Sequence, residues 1–78
     1  MKIKVKVFAT LRKYAADESS GEQELELAEG ATVGQALARL KITEREVAFV
    51  FVNSVRQKLD EALAEGDELG VFPPIAGG

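Results

Sequence analysis

The chain has 78 residues, the length of one domain, and 46% of them are hydrophobic, which is enough to fill a small core. Its 10 basic and 13 acidic residues give a net charge of −3, so the basic footprint of a protein that binds nucleic acid is absent. With no cysteine, no histidine and no apolar run of membrane-spanning length, we expect a cytoplasmic protein that carries no metal or cofactor of its own and makes no membrane contact.

The first segment, KIKVKVF at 2–8, alternates strictly between lysine and apolar residues. This period of two predicts a strand with Ile3, Val5 and Val7 on its buried face, and it differs from the continuous apolar run of a signal peptide. The lysines on the other face could form an anion-binding strip. Because exposed lysines are ordinary in proteins, a solvated sheet face is the simpler interpretation.

Two short segments follow this strand. TLRKYAA, at 10–16, has apolar residues at helical spacing and predicts one or two helical turns capped by Thr10. After a polar loop, QELELA at 23–28 alternates again and predicts a second strand. Two strands joined by a short connection favour an antiparallel hairpin.

The clearest helical pattern is EGATVGQALARL, at 29–40. Thr32 and Gln35 fit a capping box, in which each side chain bonds to the backbone N–H of the other residue. An apolar stripe at helical spacing predicts that this helix covers one face of a sheet. The stripe consists of Val33, Ala36, Leu37 and Leu40. The same capping pattern at Thr43 and Glu46 predicts one further turn.

Three more strands are predicted in the second half of the chain. VAFVFVN, at 47–53, is rich in β-branched and aromatic residues and predicts a strand that is apolar on both faces. Asn53 and Ser54 suit a turn into a short strand, VRQ at 55–57, and the last strand is ELGVF, at 68–72. A mixed sheet of about five strands with one main helix on one face is an α+β architecture.

The final segment, FPPIAGG, has an unusual composition for the end of a small domain. Pro73 and Pro74 end sheet pairing and favour a stiff extended chain that points away from the sheet. Gly77 and Gly78 have no Cβ, so they can enter a channel too narrow for other residues. An extended chain from Pro73 to Gly78 spans about 20 Å, and its chemically distinctive group is the Gly78 carboxylate. A frayed end without function is the alternative.

Taken together, these segments resemble the ubiquitin-like sulfur-carrier family, specifically the small subunits of molybdopterin synthase. The resemblance covers essentially the whole chain and is carried by KVKVFATLRKYA, ATVGQALARL, VFVN and LAEGDELGVFPPIAGG. It implies a ubiquitin-like β-grasp domain over 1–72 and an extended tail over 73–78 that ends in Gly-Gly. Ser54 and Arg56 differ from the family pattern, which often has a turn glycine and an apolar contact residue there.

The resemblance also implies a chemistry for the tail. An ATP-dependent adenylating enzyme, related to ubiquitin-activating enzymes, would convert Gly78 to an acyl-adenylate, and sulfur would then replace the AMP to leave a thiocarboxylate. The large subunit of molybdopterin synthase, expected to form a heterotetramer with this chain, would receive the tail. The sulfur would pass to cyclic pyranopterin monophosphate. In this scheme the chain is a carrier subunit rather than an enzyme by itself.

Strand alternation adds a predicted docking surface. Phe8 and Phe72 fall on the sheet face opposite the helix, and if their strands pair, as the resemblance implies, they form an exposed apolar patch beside the tail. One of Phe49 or Phe51 could extend that patch. The residues expected to contact a partner are Phe8, Phe72, Pro73, Pro74, Ile75 and Ala76.

Other functions remain open at this point. A carrier with the same chemistry could deliver sulfur for thiamine synthesis or for tRNA thiolation, although the FPP segment favours molybdopterin. A ubiquitin-like modifier would instead join Gly78 to lysines through isopeptide bonds. An interaction domain with an inert tail is the third alternative.

Overall fold

The computed structural model describes residues 1–74, which form one mixed sheet and one α-helix. The strands are β1 (Lys2–Val7), β2 (Glu22–Glu26), β3 (Phe49–Val52), β4 (Val55–Gln57) and β5 (Glu68–Phe72). The helix α1 spans Val33–Arg39, and two short 3₁₀ helices span Ala9–Tyr14 and Glu44–Glu46. The predicted α+β class, with five strands and one main helix, is confirmed.

The order of strands across the sheet is β2-β1-β5-β3-β4. Strands β1 and β5 pair in parallel at the centre, and the other neighbours pair antiparallel, including the predicted β1–β2 hairpin. The first and last strands therefore lie side by side. As a result, the chain leaves the sheet from its middle rather than from an edge.

The core lies between the inward face of the sheet and the buried stripe of α1, which form one apolar cluster. Ile3, Val5 and Val7 are at most 2% exposed, as the alternation in β1 predicts. The buried side chains within α1 are Val33, Ala36 and Leu37. Burying an aliphatic side chain of this size contributes about 1.5–3 kcal/mol, so the stripe holds the short helix on the sheet.

Helix α1 begins with the predicted capping box. The Gln35 N–H donates to Thr32 Oγ1 at 3.2 Å, and the Thr32 N–H donates to Gln35 Oε1 at 2.8 Å. The predicted cap at Thr10 is wrong, because the first 3₁₀ helix begins at Ala9 and Thr10 lies inside it. The chain turns early because β5 holds Phe8, whose N–H donates to a β5 carbonyl at 3.2 Å.

The turn between β3 and β4 is tight although it has no glycine. Asn53 and Ser54 both adopt positive φ, at 51° and 70°, which is the conformation of a two-residue hairpin turn. The Asn53 side chain stabilises the turn from the other side, because it donates to Asp67 Oδ1 and accepts from the Glu68 N–H, each at 2.9 Å. Asparagine tolerates this conformation better than most residues.

The lysines of β1 face glutamates on β2 across the outer face of the sheet. The register places Lys2 opposite Glu26, Lys4 opposite Glu24 and Lys6 opposite Glu22. Lys6 Nζ lies 3.7 Å from a Glu22 carboxylate oxygen. Carboxylates thus partly neutralise this row of lysines, which favours the solvated-face interpretation over an anion-binding strip. Opposite charges directly across two strands also favour the native register over a one-residue slip.

A charge reversal at Lys4 tests whether these pairs stabilise the sheet. Lys4 lies between Glu24 on β2 and Glu68 on β5, so Lys4→Glu would place three carboxylates in one row. We expect the free energy of unfolding to fall by about 0.5–2 kcal/mol in urea denaturation, from two unfavourable cross-strand pairs. Lys58→Glu, outside the strands, is the matched control, and equal losses in both variants would contradict the role of the pairs.

Candidate functional site

All four phenylalanines of the sequence form one cluster on the sheet face opposite α1. Phe72 is at its centre, stacked on Phe8 with 4.1 Å between ring centroids and on Phe49 with 5.0 Å. Phe51 meets Phe72 edge to face at 5.6 Å. Each ring is half-buried. We call Phe8, Phe49, Phe51 and Phe72 the phenylalanine patch; the sequence predicted the first and last of these and one of the other two.

The sheet register explains why the rings meet. Phe49 on β3 lies directly opposite Phe72 on β5, and Phe51 lies opposite Gly70. Because Gly70 has no side chain, the neighbouring rings lean over it: a Cβ there would lie 3.5 Å from Phe72 Cε1 and 3.7 Å from Phe8 Cε2. The result is a shallow apolar depression of about 380 Å³ between the rings. Half-buried aromatic rings around such a depression are typical of protein-binding surfaces.

The exit of the tail adjoins the phenylalanine patch. The last backbone bond of the sheet runs from the Ala48 N–H to the Phe72 carbonyl at 2.8 Å, and the two prolines that follow have no N–H to donate. A second depression of about 370 Å³ joins Phe8, Phe49 and Phe72 to both prolines. Pro73 is buried, so it fixes the direction in which the chain leaves the sheet. Pro74 is exposed and is therefore accessible to a partner. Ile75, Ala76, Gly77 and Gly78 lie outside the described residues.

The sequence matches a known protein family over nearly its whole length. The model of the ThiS family matches residues 5–78. The chain belongs to the ThiS family. A molybdopterin synthase sulfur carrier subunit from Chlamydomonas reinhardtii is 34% identical over 86 residues, with both chains covered completely.

Two solved structures of similar fold support the same assignment. A putative molybdopterin converting factor, subunit 1, from Pyrococcus furiosus has 35% identity and a TM-score of 0.75, with 96% of this chain and 99% of that chain covered. SAMP1 from Haloferax volcanii has 30% identity and a TM-score of 0.77, with both chains covered completely. The expected ubiquitin-like β-grasp fold and the resemblance to sulfur carriers are therefore confirmed.

A hydrogen bond that the sequence did not predict joins two segments that adjoin strands of the phenylalanine patch. The Tyr14 hydroxyl donates to the Glu46 carboxylate and so joins the segment that follows Phe8 to the segment that precedes β3. Glu46 also accepts from the Thr43 N–H at 3.1 Å, which confirms the second predicted capping pattern. The bond to Tyr14 lowers the pKa of Glu46, and the same bond, with some desolvation, raises the pKa of Tyr14.

These opposite pKa shifts predict a pH window for the contribution of the bond to stability. The lowered pKa of Glu46 contributes stability above the ordinary glutamate value of about 4.3, and this is lost as the pH falls through the folded-state pKa. The raised pKa of Tyr14 contributes stability below the ordinary tyrosine value of about 10, and this is lost at higher pH. Tyr14→Phe should therefore lower the melting temperature at neutral pH, with a smaller difference from the wild type in thermal melts near pH 3. A difference that is the same at both pH values would contradict this assignment.

The rest of the described chain shows neither a membrane span nor a metal centre. Within residues 1–74, no helix is long and apolar enough to cross a membrane. Over the same range, no three histidine, cysteine, aspartate or glutamate side chains are grouped so that they could hold a metal ion. The phenylalanine patch and the adjoining tail exit are thus the candidate site.

Proposed function

We propose that the chain is the sulfur-carrier small subunit of molybdopterin synthase and that Gly78 carries the sulfur. The observation that supports this most directly is the full-length similarity to the sulfur carrier subunit from Chlamydomonas reinhardtii. The position of the tail exit, at the centre of the sheet and beside an apolar docking surface, agrees with a carrier whose tail must enter a partner.

The proposed chemistry needs an activation step because a carboxylate is a poor electrophile. An oxygen of the Gly78 carboxylate attacks the α-phosphorus of ATP on the adenylating enzyme, and pyrophosphate leaves. A donor that delivers sulfur as hydrosulfide then attacks the acyl carbon, and AMP departs with one of the original carboxylate oxygens. The product is a thiocarboxylate, whose sulfur is itself a nucleophile. The chain supplies no acid or base in this scheme, consistent with its lack of histidine and cysteine.

The contribution of the chain is to position that sulfur. A tether of six residues, 73–78, reaches about 20 Å, and two terminal glycines present only backbone to a narrow channel. Holding the thiocarboxylate on a tether raises its effective concentration at the acceptor, cyclic pyranopterin monophosphate. The phenylalanine patch would dock on the large subunit, and we expect a heterotetramer with two copies of each subunit. We expect the protein in the cytoplasm, where ATP for adenylation is available.

The carrier role predicts a specific covalent change. Incubation with the adenylating enzyme, ATP and a sulfur donor should raise the intact mass by the difference between sulfur and oxygen, and fragmentation should map the change to Gly78. The matched control lacks Gly77 and Gly78. Its free energy of unfolding should lie within a few tenths of a kcal/mol of that of the full chain, yet it should transfer no sulfur. An unmodified wild type beside a competent enzyme would count against the proposal, and so would sulfur transfer by the truncated chain.

Docking predicts that Phe72 matters more for binding than for folding. Phe72→Ala removes the central ring, so we expect the Kd for the large subunit to rise about thirtyfold, the effect of losing a binding hot spot. We expect the free energy of unfolding to fall as well, since the ring contacts Phe8, Phe49 and Phe51, but by less than the binding free energy, because the ring lies outside the core. Val55→Ala, which trims an exposed apolar side chain on β4, is the control and should bind normally. Titration calorimetry beside thermal melts would measure both effects. Equal affinities of Phe72→Ala and wild type would remove the phenylalanine patch from the interface.

A second candidate function is protein modification. The observation that favours it is the similarity to SAMP1 of Haloferax volcanii, named a small archaeal modifier protein. A modifier would leave its carboxyl-terminal glycine in isopeptide bonds, so purification under denaturing conditions would recover covalent ladders. A sulfur carrier would be recovered as a single species, and this also holds for carriers that serve thiamine synthesis or tRNA thiolation. Transfer to cyclic pyranopterin monophosphate would distinguish those carriers from the molybdopterin type.

A further inference from the structure

Arg56 adds a positive charge to the border of the phenylalanine patch. It lies on β4 directly opposite Phe51, so its side chain emerges on the same outer face of the sheet. Its Cζ is 5.2 Å from the centroid of the Phe49 ring, and the residue is exposed. The guanidinium therefore rests over the edge of the patch and keeps a solvated side.

The charge of Arg56 is less compensated than that of Lys6 on the other side of the patch. Lys6 Nζ is 5.4 Å from the centroid of Phe8, but it also lies 3.7 Å from a Glu22 carboxylate oxygen. Within the part of the chain that the structure describes, no carboxylate lies within 4.0 Å of the Arg56 guanidinium. In a protein with a net charge of −3, this cation beside an apolar surface is a local exception.

The contact with the Phe49 ring prepares Arg56 to bind a carboxylate. The planar guanidinium loses less conformational freedom on binding when an aromatic ring already orients it, and its N–H donors match the two oxygens of a carboxylate. Arginines beside aromatic residues are also frequent binding hot spots. A simpler role would be to cover the face of the Phe49 ring, and the variants below separate the two.

The space beside Arg56 can accept a side chain from a partner. A groove of about 630 Å³ begins at Arg56 and Phe49 and continues along the 57–61 segment. Lys58 also lines it, as do Asp60 and Glu61 farther along the chain. Along this segment the two cations precede the two carboxylates, so a carboxylate of the partner would be attracted to the part that Arg56 borders and disfavoured beside Asp60 and Glu61.

We infer that Arg56 is a specificity-determining residue of the docking surface. It favours a partner whose apolar contact surface carries an aspartate or glutamate at the edge that faces β4. This inference rests on the proposed function only in its choice of partner, the large subunit of molybdopterin synthase. It assigns to Arg56 a role that an apolar residue at this position could not fill.

The test compares Arg56→Glu with Arg45→Glu, a reversal of the same size at an exposed site in the second 3₁₀ helix. Association with the large subunit is measured at about 0.1 M and about 1 M salt, between which the Debye length falls from roughly 10 Å to roughly 3 Å. At the lower salt concentration we expect Arg56→Glu to raise the Kd by about tenfold or more, largely through slower association. That penalty should shrink at the higher salt. Arg45→Glu should stay within about twofold of the wild type.

Two further variants distinguish recognition from ring covering. Arg56→Lys keeps the charge without the planar fork, so it should retain the salt dependence but only part of the affinity. Arg56→Gln removes the charge but still covers Phe49, so it should lose the salt dependence. If Arg56→Gln binds like the wild type at both salt concentrations, or if Arg56→Glu matches Arg45→Glu, the inference is wrong.

The Phe72→Ala variant, measured in parallel, separates this inference from the proposed function. If Phe72→Ala weakens binding while Arg56→Glu weakens it no more than Arg45→Glu does, the proposed docking surface stands and the inference about Arg56 fails alone. If the wild type does not bind the large subunit at all, the proposed function fails and the inference fails with it.

Discussion

The parallel pairing of β1 with β5 is the interaction on which both the fold and the candidate site depend. It joins segments from opposite ends of the chain, so its formation closes the longest loop in the domain and must offset the corresponding entropy. The offset comes from aliphatic residues that face the core, such as Val5 opposite Leu69 and Val7 opposite Val71, none more than 2% exposed. The same pairing brings Phe8 beside the end of β5. The phenylalanine patch therefore exists only once the whole domain has folded.

The two faces of the central strands carry different sets of residues: one face carries core residues and the other carries the phenylalanine patch. Leu69 and Val71 of β5 face the core, and the alternate residues Glu68, Gly70 and Phe72 lie on the outer face, the last of them at the centre of the phenylalanine patch. A change on the outer face can thus alter binding with little effect on the core. The aromatic rings already contact one another in the free chain, so a partner meets a surface whose side chains are largely ordered. Such preorganisation reduces the entropic cost of docking.

The sequence predicted the features that depend on local periodicity or local hydrogen bonds. Alternation in β1 identified its buried residues, the Thr32–Gln35 pair identified the start of α1, and alternation in β5 placed Phe72 on the outer face. It could not predict contacts that depend on the lateral order of the strands. The Tyr14–Glu46 bond and the stack of Phe49 on Phe72 both join segments that become neighbours only in the folded sheet. The error at Thr10 has the same origin, since pairing with β5 determines where the chain turns after β1.

A carrier that serves two enzymes in turn needs affinity that is sufficient but not excessive. In the proposed function, the chain leaves the adenylating enzyme and then docks on the large subunit, so a very tight complex with either would slow the cycle. A small apolar patch, with polar and charged groups at its border, suits such reversible binding, because rim charges mainly tune the association rate and the choice of partner. In the proposed scheme the free energy for forming the thiocarboxylate comes from ATP, so the domain would need no catalytic groups of its own. Its structure can then be devoted to a stable core, a recognisable surface and a tail that starts beside that surface.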